Sequence, residues 1–218
     1  MVARVLSLSI IPIRMRALIL VDIQNDFLPG GALAVPRGDE VIPVANRLQG
    51  RFDLVVATQD WHPARHGSFA SRHPGRKPGD LSELGGLPQV LWPDHCVQGS
   101  SGAAFAPALE MNRVETIFRK GTDPAIDSYS AFFDNGHRKS TGLGDYLKGR
   151  GADEIFVLGL ATDYCVKFTA LDARQLGFRT RLVEDGSRGV ELQPGDVARA
   201  VAQMRDASVQ IVRSTEVR

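Results

Sequence analysis

The chain is poor in cysteine. Its 218 residues hold only Cys96 and Cys165. Two thiols cannot make a disulfide framework, so reduced thiols in a cytoplasmic protein are expected. A charge imbalance is also missing. Twenty-six basic side chains against 25 acidic ones leave a net charge of +1. No electrostatic term then favours nucleic acid or an anionic membrane as partner. No apolar run is long enough to span a bilayer. Internal repeats and low-complexity tracts are absent too, which excludes solenoid and linker-like architectures. At this length a single domain with one large core is the first expectation.

The first residues, "MVARVLSLSIIPIRMRALILVD", place Arg4 ahead of a short apolar stretch, as a signal peptide does. The stretch is brief, lacks a small-x-small cleavage site, and is interrupted by Arg14 and Arg16. Residues 1–14 are therefore read as an extension or a mis-assigned start, with Met15 as the working start. Residues 15–218 are read as one domain.

Six short apolar runs, at 17–21, 54–58, 116–120, 154–159, 180–184 and 209–212, read as strands. Most are continuously apolar, as strands covered on both faces must be. Helical patterns near 39–49, 141–149, 163–176 and 195–206 lie between them. Pro43 falls inside the first, and Gly177 closes the third as a C-terminal cap. This alternation predicts an α/β protein: three α/β/α layers around a six-stranded, mostly parallel sheet. The segment 61–112, rich in Pro, Gly and His, breaks the rhythm and reads either as a functional loop or as short elements that its pattern does not resolve.

Ligands of such sheets bind beyond the carboxyl ends of the strands. Four runs end there on chemistry: Asp22, then Asp60 with His62, then Lys120, then Cys165. Thr162 and Asp163 are good caps for a helix starting at Cys165, and a helix start favours a thiolate. The plainer alternative is a small buried hydrophobe. Asp22 is a turn cap or a general base. Lys120 alone would be a surface lysine, but beside a thiol and a carboxylate it balances charge. Asp60 and His62 fall on one side of an extended segment and suit zinc or another first-row divalent ion. A third ligand is needed, and His66, His73 and His95 are candidates; all could instead be ordinary loop histidines.

The stretches "ALILVDIQNDFLPGGALAVP", "TQDWHPARHGSFAS", "LWPDHCVQG", "RKGTDPAIDSYSAFFDN" and "VLGLATDYCVKFTALDARQLGF" together resemble nicotinamidases of the isochorismatase-like hydrolase superfamily. The superfamily shares the Asp, Lys and Cys; the D-W-H-P and W-P-x-H-C segments point to nicotinamidases. The resemblance implies the isochorismatase-like hydrolase fold and a catalytic triad of Asp22, Lys120 and Cys165. It implies an oxyanion hole from the Ala161 and Cys165 backbone N–H groups, after a cis Leu160–Ala161 peptide. It implies one divalent metal ion on Asp60, His62 and His95, zinc first, iron or manganese as alternatives. His66 is left out of that shell, while Ser68 is a direct or water-mediated contributor. Phe27, Trp92 and Tyr129 would line the substrate ring. The implied reaction converts nicotinamide to nicotinate and ammonia through a Cys thioester in cytoplasmic NAD salvage, with pyrazinamide as a second substrate. No nucleic-acid or membrane partner is expected, and a homo-oligomer is compatible. Competing readings are another amidase or isochorismatase of the superfamily, a non-catalytic metal-binding module, and a redox role for Cys165.

Overall fold

The structure, a computed structural model, describes residues 15–218. The reading of residues 1–14 as an extension lies outside the described residues. All six expected strands form one sheet: β1 (Met15–Val21), β2 (Leu54–Asp60), β5 (Thr116–Lys120), β6 (Ala152–Leu160), β7 (Arg179–Arg188) and β8 (Gln210–Val212). The order is β5-β2-β1-β6-β7-β8, and every pairing is parallel.

The apolar runs become central strands because both faces are covered. Leu18 and Leu20 of β1 join one core with α1 (Val41–Gln49). Ala17, Ile19 and Val21 point the other way. They join a second core with α2 (Leu143–Gly149), α3 (Lys167–Gln175) and α4 (Asp196–Asp206). Period-two alternation thus feeds two apolar layers rather than one. Pro43 sits in the first turn of α1, where its missing N–H costs nothing. Gly177, at φ +90°, ends α3: its N–H bonds to Arg174 O at 3.0 Å, and Phe178 N–H bonds to Ala173 O at 3.0 Å. That is the six-to-one closure that a left-handed glycine permits. No helix among the described residues is long and apolar enough to cross a membrane.

The segment 61–112 contains short elements, among them an antiparallel hairpin of β3 (Leu81–Leu84) and β4 (Leu87–Val90). Its two turn residues, Gly85 and Gly86, have φ +60° and +78°. Positive φ at both positions is what a two-residue hairpin turn needs.

The chain runs outward from β1 to β2 and β5, then returns to β6 on the other side of β1. The topological switch point therefore lies between β1 and β6, where a crevice opens. Asp22 leaves the end of β1, and Cys165 follows the end of β6. Parallel register sets Asp60 directly opposite Lys120.

Candidate active site

Lys120 is 2% exposed and occupies the centre of the site. Its Nζ lies 2.9 Å from Asp22 Oδ2, 3.0 Å from Asp60 Oδ1, 3.0 Å from Ser128 O and 3.3 Å from Cys165 Sγ. Burial works against its charge. Asp22, Asp60 and Cys165 outweigh that penalty and hold the ammonium well above the usual lysine range. Asp22 is fully buried, and its Oδ1 accepts a 2.6 Å bond from the Thr58 hydroxyl. Burial raises its pKa, Lys120 opposes the rise and Asp60 adds to it.

Cys165 is also buried. Burial pushes its thiol well above the ordinary value, with Lys120 pulling it down. Cys165 lies in the first turn of a helical stretch, as expected: the widened turn Thr162–Val166, in which Val166 N–H reaches back five residues to Ala161 O at 3.1 Å, runs without a break into α3. Neither Thr162 nor Asp163 caps the helix. Asp163 instead accepts the Val190 and Glu191 N–H groups at 2.9 and 2.8 Å and ties the 190s loop to the pocket. The Leu160–Ala161 peptide is cis.

Beside Lys120 stand Asp60, His62 and His95, all buried, with donor atoms within 4.8 Å of one another. Asp60 Oδ2 lies 2.9 Å from His62 Nε2 and 3.3 Å from His95 Nε2. His62 Nδ1 faces Gly121 O at 2.9 Å, and His95 Nδ1 faces Pro93 O at 2.8 Å. A carbonyl there requires Nδ1 to carry the proton, so in the neutral ring the Nε2 lone pair is the one each histidine has to offer a cation. Donor set and tautomers fit a divalent cation. Gln24 fixes the carboxylate's backbone: it accepts Asp60 N–H at 2.8 Å and donates to Asp60 O at 2.8 Å.

His66 lies against His62, ring centroids 4.2 Å apart. Its Nδ1 accepts the Ser68 backbone N–H at 3.2 Å and lies 2.7 Å from Ser68 Oγ. The proton is then on Nε2, which leaves that atom no lone pair for a metal. Burial, and His62 beside it, lower its pKa to about 4. Ser68 spends its hydroxyl on His66. His73 bonds to Gly67 O at 2.7 Å, and no metal-ligating group among the described residues includes it.

The pocket over these groups is lined by Phe27, Trp92, Tyr129, Ala161 and Cys165. Five wall residues escaped sequence reasoning: Leu33, Asp127, Ser128, Tyr164 and Val190. Tyr164 packs edge-on to Trp92 at 4.8 Å. Its place next to Cys165 was the available signal. One aromatic-walled opening thus reaches the thiol and the three-donor cation site, with the Lys120 ammonium and the Asp22 carboxylate buried behind them. Such a set suits nucleophilic attack on a small planar carbonyl compound.

The isochorismatase domain profile matches residues 16–216, and the chain belongs to that family. Within it, the chain is similar to nicotinamidases. It is 56% identical to the nicotinamidase of Escherichia coli over 200 residues, 90% of this chain and 93% of that protein. The nicotinamidase/pyrazinamidase structure of Acinetobacter baumannii superposes with a TM-score of 0.91 at 47% identity, covering 94% of this chain and 99% of the other. The zinc complex of Pyrococcus horikoshii pyrazinamidase gives 0.74 at 39% identity, over 91% and 99% of the two chains.

Proposed function

We propose that the protein is a metal-dependent cysteine amidohydrolase that converts nicotinamide to nicotinate and ammonia, and pyrazinamide to its acid. The observation that carries this reading is the contact of Lys120 with Asp22, Asp60 and the Cys165 thiol at once. It couples the nucleophile to the cation site across one residue. Residues 15–218 serve this site as a single domain, with a core on each face of one sheet.

Asp22 accepts the thiol proton as Cys165 Sγ attacks the amide carbonyl. Lys120 keeps its proton throughout and offsets the negative charge on sulfur. The Ala161 and Cys165 N–H groups take the developing oxyanion; one such donor is worth about 3 kcal/mol. Asp22 then returns the proton to nitrogen, the C–N bond breaks, and ammonia departs from a thioester. In the second half Asp22 accepts a proton from water as it adds to the thioester; the C–S bond then breaks, Asp22 returns that proton to sulfur, and the acid leaves the restored Cys165 thiol. Phe27, Trp92 and Tyr129 hold the ring, and Asp60, His62 and His95 would hold the ion. When bound, a divalent ion there supplies a Lewis-acid anchor for the ring nitrogen and so orients the amide. Zinc suits the donors best, with iron and manganese as alternatives. We place the activity in the cytoplasm, in NAD salvage.

The test is ammonia release from nicotinamide by the purified, metal-loaded protein, beside Cys165→Ala. Turnover lost in the variant supports the thiol route. No turnover by the unaltered protein would return the reading to family level.

A further inference from the structure

Asp127 stands in the pocket wall and has no part in the chemistry above. It is 3% exposed. Its Oδ1 accepts the Ser128 N–H at 2.8 Å, and its Oδ2 accepts Gln89 Nε2 at 2.9 Å. With both oxygens accepting N–H bonds, it is a carboxylate. No ion pair to it occurs among the described residues. His62 and His66 lie beside it, the ligand atoms of the three residues all within 4.8 Å of one another. His66 is neutral there, because its Nδ1 accepts a backbone N–H. A buried carboxylate without its own cation is costly and needs a reason to be kept.

The charge count of the site supplies one. Asp22, Asp60 and Asp127 oppose one ammonium, Lys120, which leaves two net negative charges. A divalent ion on Asp60, His62 and His95 cancels them. With Asp127 present, the loaded pocket is neutral; without it, the pocket would be cationic. The proposed substrate is uncharged and its product is an anion.

We propose that Asp127 is a specificity-determining residue: its fixed negative charge makes the pocket bind neutral aromatic carboxamides and reject the corresponding carboxylates, which speeds product release. Gln89 and the Ser128 N–H hold that charge against the pocket. The inference rests on the carboxamide reading above and concerns the same site.

The experiment measures calorimetric affinity for two amide–acid pairs, nicotinamide with nicotinate and pyrazinamide with pyrazinoate. Amides are titrated into Cys165→Ala, so that nothing turns over. In the parent the acid should bind at least about tenfold more weakly than its amide, the size of one charge acting across a pocket at an effective dielectric of about 20. Asp127→Asn should tighten the acid by roughly tenfold and move the amide by less than about threefold. Asp127→Ala removes the same charge and should agree, which covers a failure of either variant to fold. Gln89→Leu keeps the charge and should not tighten the acid. Equal affinities of acid and amide in the parent would overturn the proposal. So would a parallel weakening of both ligands on removing Asp127, or tightening of the acid by Gln89→Leu. Ammonia release is measured separately: its absence sinks the hydrolase reading, while the affinity ratios still judge the charge argument.

Discussion

Replacing Lys120 by methionine tests the charge arrangement of the site. Methionine keeps most of the stem and removes the ammonium. Asp22 and Asp60, both buried, then lose the cation they share at 2.9 and 3.0 Å. Removing one partner of a buried pair typically costs about 3–5 kcal/mol. In a domain of this size that should lower the melting temperature by roughly 6–20 °C. The loss has a sign in pH. Burial raises Asp22 above its ordinary value even with Lys120 pulling it down. The folded protein therefore binds that proton more tightly than the unfolded chain does. Stability falls as pH rises through the raised pKa, and protonation restores it. Without Lys120 the rise is steeper, so the deficit should be largest near about pH 8 and shrink toward about pH 5. Chemistry should suffer as well. At 3.3 Å from Cys165 Sγ, an ammonium at an effective dielectric of about 20 stabilises a thiolate by about 5 kcal/mol. The variant should lose about three orders of magnitude in kcat/KM, and the pH profile of iodoacetamide alkylation should move upward. A variant within tenfold of the parent, with an unmoved alkylation profile and a pH-independent stability deficit, would refute the assignment of Lys120 as the charge partner of the thiol.

Three further outcomes are expected. Cys165→Ala should abolish ammonia release yet still bind nicotinamide by calorimetry, whereas Cys96→Ala should keep turnover and lose about 1–2 kcal/mol of denaturant stability, since Cys96 is buried core. Chelation should remove turnover and lower the melting temperature, and a divalent ion should restore both; His95→Ala should weaken ion binding measured by competition with a chromogenic chelator. Asp172 lies away from the site, and burial raises its pKa against the opposing pull of Ser130 and His137. Its stabilising contribution is complete below the unfolded pKa and is lost as pH rises through the folded one. Asp172→Asn removes that titration, so its stability relative to the parent should improve from about pH 4 to about pH 7; an unchanged difference in urea midpoint would count against the shift.

The strands were legible because burial on both faces forces an unbroken apolar run, as in Ala17–Val21 and Leu54–Ala57. The candidate residues were legible because strand ends are where such sheets present chemistry. What joins them was not. Asp60 and Lys120 meet because β2 and β5 reach that height in register, and register is a tertiary fact absent from either segment. Gln24, which pins Asp60 from the next strand end, was invisible for the same reason. The hairpin "LSELGGLPQV" did carry its signal, paired glycines between two apolar runs. It was hidden by the irregular composition around it. Asp127 and Gln89 lie on different segments and acquire meaning only as a pair at 2.9 Å.

How the thiol is activated sets the physics of the site. A helix start favours a thiolate through the unpaired N–H groups of its first turn. The structure places the thiol in such a turn, but burial opposes the charge and raises its pKa, with Lys120 pulling it down. A thiolate there forms only with help at the moment of attack. Asp22 must take the proton and Lys120 must hold the resulting charge, and both are buried. Only the deprotonated form of a thiol reacts with oxidants and alkylating agents, so burial that opposes the charge also opposes those side reactions. Deprotonation is then coupled to attack on bound substrate, and the same burial that weakens the nucleophile at rest strengthens its interaction with Lys120 once the charge appears.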